Sequence, residues 1–269
     1  MDSPIFFLII LIVIITYNGL RNYSFQEKYL FHVDRILIAK EYYRLISSGF
    51  LHGGWIHLAF NMLALASFGK FSWYILGAGG FSLLYMASLI GGNLLALYVH
   101  RNHGNYRALG ASGAVFGVIF SSIVFNPFSR ISFIFIPVGI PGWIMGIIFV
   151  LVSVWGIRKQ TGNVGHEAHL GGAIIGMIVT ALLRPDTLTS HPWIFALLGI
   201  PSIGFVLYTL KNPNFLVFDS FSSKSKPKYD RYEPSRAQQL DELLDKISAL
   251  GYEKLTDAEK KRLKELSEK

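Results

Sequence analysis

The chain has 269 residues, 52% of them hydrophobic and 16% charged, no cysteine and a formal net charge of +8, with a mean hydropathy of +0.42. A chain this long and this apolar is a membrane protein rather than a water-soluble domain, and zero cysteines exclude disulfides, Cys-ligated zinc, iron–sulfur clusters and a thiol nucleophile. Residues 1–210 hold 12 Lys/Arg and 6 Asp/Glu while residues 211–269 hold 13 and 11, so an apolar body precedes a charged tail, and the basic excess reads as loops and tail meeting a membrane surface, not as a nucleic-acid footprint.

A helix needs about 20 apolar residues to cross the hydrocarbon, fewer where it starts in a protein-lined cavity. Seven segments come close: 4–20, 53–69, 79–99, 112–126, 141–157, 167–183 and 193–210, with Glu167 the one charged residue among them. The first has the length of a signal peptide, but Asp2 stands in place of a basic n-region and no small-residue cleavage site follows, so it reads as a retained helix. The connection 21–51 is rich in aromatics (Tyr23, Phe25, Tyr29, Phe31, Tyr42, Tyr43), as suits a structured piece at the interface; the other connections are short. In the tail, Ser235 precedes Leu240, Leu243, Leu244, Ile247 and Leu250 at helical spacing, Gly251 stops that helix, and a second opens with the capping box Thr256-Asp-Ala-Glu259 and carries Leu263 and Leu266. The expected organisation is an all-α, polytopic membrane helix bundle over 1–210, its core at 42–184 and an extra helix at 193–210. A charged linker and helix–turn–helix tail follow over 211–269, with 222–227 flexible and the hairpin either solvated or a docking element. No internal repeat is visible.

Burying polar side chains in hydrocarbon is costly, so each one in a span raises a functional question. The second segment carries His57 and Asn61, four apart and on one face, with His52 just ahead; the fourth begins Gly110-Ala-Ser112-Gly113; the sixth begins His166-Glu-Ala-His169-Leu-Gly-Gly172. Each alone reads as interhelical hydrogen bonding, worth about 1 kcal/mol. Together they supply a hydroxyl, an imidazole and further donors on three helices, which are the parts that nucleophilic acyl transfer needs. A serine hydroxyl attacks once a neutral imidazole accepts its proton, and the resulting oxyanion needs donors already aimed at it. Gly110 and Gly113 allow close approach at a helix start, where free N–H groups point outward.

Gly113 and Gly117 on the fourth segment, and Gly172 and Gly176 on the sixth, can form a close seam that brings Ser112 and His169 together, with Phe116 placed to stack on the His169 ring. A leucine at Gly172 is expected to part the helices, a single methyl to be mild, and changes at Gly199 in the last segment to leave the core intact.

Other chemistries fail on counting. An aspartyl protease needs two membrane-embedded aspartates and the spans contain none. A zinc protease needs histidines four apart around a Glu, whereas His166 and His169 are three apart. Glu167 lies about 200° round the helix from His169, and Asp186 about 25 Å along it, so neither completes a triad and the base is oriented by packing. No metal or other cofactor is expected.

The pattern resembles the rhomboid intramembrane serine proteases over roughly 42–181. The likeness rests on Tyr43-Arg44-Leu45, His52, His57-x-x-x-Asn61, Gly110-x-Ser112-Gly113 with Phe116, and Ala168-His169-x-x-Gly172-x-x-x-Gly176. It implies Ser112 as nucleophile, His169 as general base, and His57, Asn61 and the Ser112 N–H as oxyanion donors. It also implies a six-helix core with a membrane-inserted first loop, and as partners the lipid bilayer and single-span protein substrates cut near its surface, with no role for nucleic acid. The expected location is a bacterial inner membrane. Two departures stand out: Tyr43 where a Trp commonly precedes the loop Arg, and no Glu after Gly69, where the packing at the far end of the second helix is then in question. Nine basic residues on the Ser112 side face three opposite (Lys70, Arg130, Arg184); the positive-inside count puts the active side in the cytoplasm, and the resemblance implies the reverse. Two other classes are an inactive rhomboid-like binder, against which both Ser112 and His169 speak, and a transporter, which lacks its inverted repeat.

Overall fold

Apolar runs that cannot hydrogen-bond to water must satisfy their backbone internally, and the chain does so almost wholly with helices. The computed structural model describes residues 4–133, 136–159, 164–212, 240, 243–244, 246–247 and 251–267, in two units, Met1–Leu216 and Val217–Lys269. In the first unit α1 (Pro4–Arg21) leads into α2 (Tyr23–Tyr29), β1 (Phe31–His32), α3 (Val33–Leu37), α4 (Arg44–Ser47) and a 3₁₀ turn. Then come α5 (Trp55–Val99), β2 (Arg107–Ala108), α6 (Ser112–Phe125), β3 (Arg130–Phe133), β4 (Ile136–Pro141), α7 (Gly142–Lys159), α8 (His166–Leu183), α9 (Asp186–Ser190) and α10 (Pro192–Lys211).

Although its helical residues follow one another without a gap, α5 is two helices that meet at a break and makes two passes. Gly77 has φ +67°, ψ −177° inside it, a conformation open to glycine and to few other residues. Ahead of the break, His57 borders Gly110 and Ser72 bonds Ser122 at 3.1 Å. Beyond it, Ser88 faces Gly117 and Asn93 donates to the Leu45 carbonyl and Ser48 Oγ at 2.8 and 3.1 Å. The chain thus descends along α6 and climbs back. With this break, and with α6 shorter than the rest, the described residues contain seven apolar helical segments, five of the helices being long enough to cross a membrane. The break falls inside the 70–78 connection that the sequence predicts, near its end: Lys70 is exposed, and helix continues through it to the glycine. Where the expected Glu is missing, the far end is held by the Ser72–Ser122 bond and by rings, Trp73 on Phe81 and Phe71 on Phe125.

Burial departs from that of a soluble protein. Ser72, Ser88, Asn93, Ser121, Ser122 and Thr180 are buried, while Ile56, Phe60, Tyr74, Leu182 and Ile200 are exposed. Lipid is as apolar as leucine, so close packing and hydrogen bonds hold such helices together. α6 and α8 run in the same direction, Gly113 against Gly172, Gly117 against Gly176, and Thr180 Oγ1 donating to Ser121 Oγ at 2.8 Å. On the outside of the bundle, the Tyr98 hydroxyl donates to the Thr209 carbonyl at 3.5 Å, returning the end of α10 to the Ser112 side.

The 21–51 segment is built around a buried guanidinium. Arg44 donates to the Glu27 and Leu30 carbonyls, both at 2.7 Å, and to Glu41 at 2.6 Å; that hydrogen bond, reinforced by the Arg44 charge, holds the Glu41 carboxyl below its ordinary range. Tyr43, in the place of the expected Trp, uses its hydroxyl to reach the Lys28 carbonyl at 3.0 Å. The sequence reading has no strands, yet two short antiparallel pairs form: Phe31 and His32 with Ala108 and Arg107, and a hairpin of β3 with β4. Each satisfies backbone groups in a connection where no helix does so.

In the second unit Leu240, Leu243, Leu244, Lys246 and Ile247 are helical; Ser235, Leu250 and the linker 222–227 lie outside the described residues. A helix spans Asp257–Ser267. Its capping box closes in both directions, Glu259 accepting from the Thr256 N–H at 2.8 Å and Thr256 Oγ1 accepting from the Glu259 N–H at 3.3 Å.

Candidate active site

The start of α6 is fixed from behind. The Gly110 N–H donates to the Ser48 carbonyl at 3.0 Å, and Gly110 sits at φ +141°. A side chain there would be strained, and its Cβ would stand 2.8 Å from His57 Cε1 and 3.8 Å from Ser112 Oγ. The glycine is therefore required twice, once for its backbone and once because the His57 ring and the Ser112 hydroxyl crowd around it. Ser112 is the first residue of α6 and is half-buried, so the N–H groups of its first turn have no acceptor of their own in the helix.

Four successive residues at the start of α8 meet different neighbours, each turned about 100° from the last. The His166 ring lies against Gly156 of α7, and Glu167 meets His100 at the end of α5. The Ala168 carbonyl packs on Gly92 and Gly113. The His169 ring stacks face to face on Phe116, centroids 4.2 Å apart and planes 7° apart. Phe116 is one turn below Ser112 on α6, and its own ring meets Phe149 of α7 edge-on at 5.1 Å. The imidazole is thus oriented by packing, and Glu167 points away from it. Among the described residues no hydrogen bond joins Ser112 to His169; such bonds are often long in a resting site and tighten on substrate binding.

The seam is closer than the sequence suggests. A Cβ at Gly172 would fall on the Gly113 carbonyl oxygen, and one at Gly176 would stand 2.5 Å from Gly117 Cα. Backbone cannot step aside as a side-chain tip can, so even a single methyl at Gly172 has no room, contrary to the mild effect expected. At Gly199 nothing lies within 4 Å.

Of the remaining candidates, His57 is exposed and Asn61 buried. The Asn61 side-chain amide donates to the His57 carbonyl at 3.0 Å, which uses one of its two hydrogens. Two residues outside the expected set border His57 and the start of α6. His52 is fully buried and accepts at Nε2 from the Ala111 N–H at 3.3 Å, so its proton sits on Nδ1, 3.0 Å from Thr16 Oγ1, which in turn donates to the Phe50 carbonyl at 3.1 Å. The His52 ring also meets the His57 ring edge-on at 5.0 Å. Thr16 had a signal in the sequence: it is the first polar residue after the apolar run 4–15 and shares a face with Ile5, Ile12 and Gly19. Among the described residues no group of three or more His, Asp or Glu side chains converges as metal ligands would.

Residues 39–186 match the rhomboid domain, and the chain belongs to the rhomboid family as a multi-pass, all-α membrane protein. It is 34% identical over 163 residues to the mitochondrial rhomboid protein 1 of Saccharomyces cerevisiae, covering 58% of this chain and 45% of that protein. It is 30% identical over 185 residues to the rhomboid protease GluP of Bacillus subtilis, covering 67% and 34%, and 31% identical over 136 residues to the mouse mitochondrial presenilin-associated rhomboid-like protein, covering 49% and 36%. The chain thus spans less than half the length of these relatives. Residues 227–269 match a second family, DUF6576, described as a family of unknown function.

Proposed function

We propose that the protein is an intramembrane serine endopeptidase that cuts transmembrane protein substrates near the bilayer surface with a Ser112–His169 dyad, in a bacterial inner membrane. The observation that carries this reading is the His169 ring held flat on Phe116, one turn below Ser112, across a seam with no space for side chains. A base fixed by stacking needs no carboxylate partner, and Glu167 is engaged elsewhere.

In this reading the Ser112 hydroxyl attacks the scissile carbonyl carbon while His169 accepts its proton. Negative charge then gathers on the carbonyl oxygen, and the Ser112 N–H, the His57 ring and the second amide hydrogen of Asn61 stabilise it, the first being free because it opens a helix. His169 returns the proton to the leaving amine. A water molecule, activated by the same imidazole, then hydrolyses the acyl-enzyme. Ser112 and His169 are both half-buried residues, in keeping with a hydrolase working below a membrane surface. The chain is also similar to a relative named as a protease, GluP. The test is cleavage of a single-span model substrate by purified protein in liposomes: wild type cuts and Ser112→Ala does not. Equal cleavage by both overturns the assignment.

A further inference from the structure

We infer that the buried contact between His100 and Glu167 holds the base and the nucleophile in register, which makes these two positioning residues for the reaction; the inference rests on the protease reading above. Glu167 is the one charged side chain in the apolar run of α8, and it lies in the first turn, where the helix dipole favours a carboxylate. Its Oε1 is 3.2 Å from His100 Nε2, with both side chains buried. Among the described residues its Oε2 has no hydrogen-bond partner. Burying a carboxylate this way is unfavourable unless a partner offsets it, so His100 fixes where the first turn of α8 can sit.

The other side of His100 leads to the nucleophile. Its ring stacks on Tyr106, centroids 3.5 Å and planes 7° apart, within the connection that ends at Gly110 and Ser112. Tyr106 is itself anchored, its ring edge-on to Phe31 at 6.1 Å and its carbonyl accepting from the Val33 N–H at 3.2 Å. One buried pair therefore ties the helix of the base to the loop of the nucleophile and to the interfacial segment. Glu167 acts on His169 through two residues of helix rather than by contact, being about 200° round from it. None of the family's motifs quoted above includes His100 or Tyr106, and the seam alone does not reach the loop.

The experiment uses the full chain in liposomes with a single-span model substrate. Glu167→Ala and His100→Ala should each lower kcat roughly 10- to 100-fold through misplacement, with KM changed by less than about twofold. The double variant should be no slower than the worse single one, as for two residues acting as a unit. Glu167→Gln, which keeps the size and an acceptor for His100, should recover most of kcat, which a general loss of stability would not explain. Should Glu167→Ala fail to fold, Tyr106→Leu, which removes the stack and leaves the carboxylate partnered, carries the test and should lower kcat in the same way. Wild-type kcat in these variants, or losses that multiply in the double, overturns the inference while wild type still cuts and is labelled at Ser112 by a fluorophosphonate. Absence of both cleavage and label in wild type overturns the protease reading and this inference with it.

Discussion

α8 has two faces that differ in one property. Toward α6, glycine meets glycine and an added methyl at Gly172 or Gly176 would strike backbone. Toward α10, an apolar groove of about 550 Å³ opens between Met177, Ile178 and Leu182 on one side and Phe195, Ile200 and Ile203 on the other, and added methyls at Gly199 or Gly204 would meet nothing within 4 Å. A helix in lipid gains nothing from apolar contact as such, so the loose face needs no complementarity. In the proposed mechanism the close packing of the α6 face holds reacting atoms to fractions of an ångström. On this account the tight face is catalytic and the loose face is scaffold.

The sharpest way to break that comparison is to remove the chemistry from the tight face and leave its packing alone. Ser112→Ala and His169→Ala should each cut cleavage by at least about 1,000-fold, because the two act as a unit, with thermal unfolding close to wild type for Ser112→Ala. Next come the donors at the mouth: His57→Ala and Asn61→Ala should lose roughly 10- to 1,000-fold in kcat, Asn61 the less because part of its amide is spent on its own helix. Full rates in both would make them interhelical ties. Gly172→Ala should then cost tens of fold, up to about 100-fold, with both reacting residues unchanged, read as slower cleavage and slower fluorophosphonate labelling. Smallest of all, Gly199→Ala on the loose face should leave kcat within about twofold of wild type, since one methyl enters open space. Equal losses at Gly172 and Gly199 would erase the distinction between the faces.

Much of this was legible before any coordinates, for a physical reason. The hydrocarbon imposes a length on each apolar run, so seven segments stand out in the sequence, and polar residues within them are rare enough to be noticed one by one. Spacing of four put Gly113 with Gly117, and Gly172 with Gly176, on helix faces. What spacing could not tell was how close those faces come, since separation is set by both partners; hence the error over a single methyl at Gly172. Nor could it place contacts between distant positions. His52 was visible as a histidine, but its bonds to Thr16 and Ala111 join residues 36 and 59 apart in the chain. His100, at the end of a span, carries no mark in the sequence of the Glu167 that packs against it. The β1–β2 pair leaves no trace in the sequence because a two-residue bridge has no periodicity to read.

The most direct test of the central claim, that the tight face holds Ser112 and His169 as a working pair, is fluorophosphonate labelling of the purified protein with the modified peptide identified by mass spectrometry. The account predicts one label, on Ser112, lost in His169→Ala, slowed in Gly172→Ala and unchanged in Gly199→Ala. A label on another residue, or labelling of Ser112 that persists at full rate without the His169 imidazole, would contradict it.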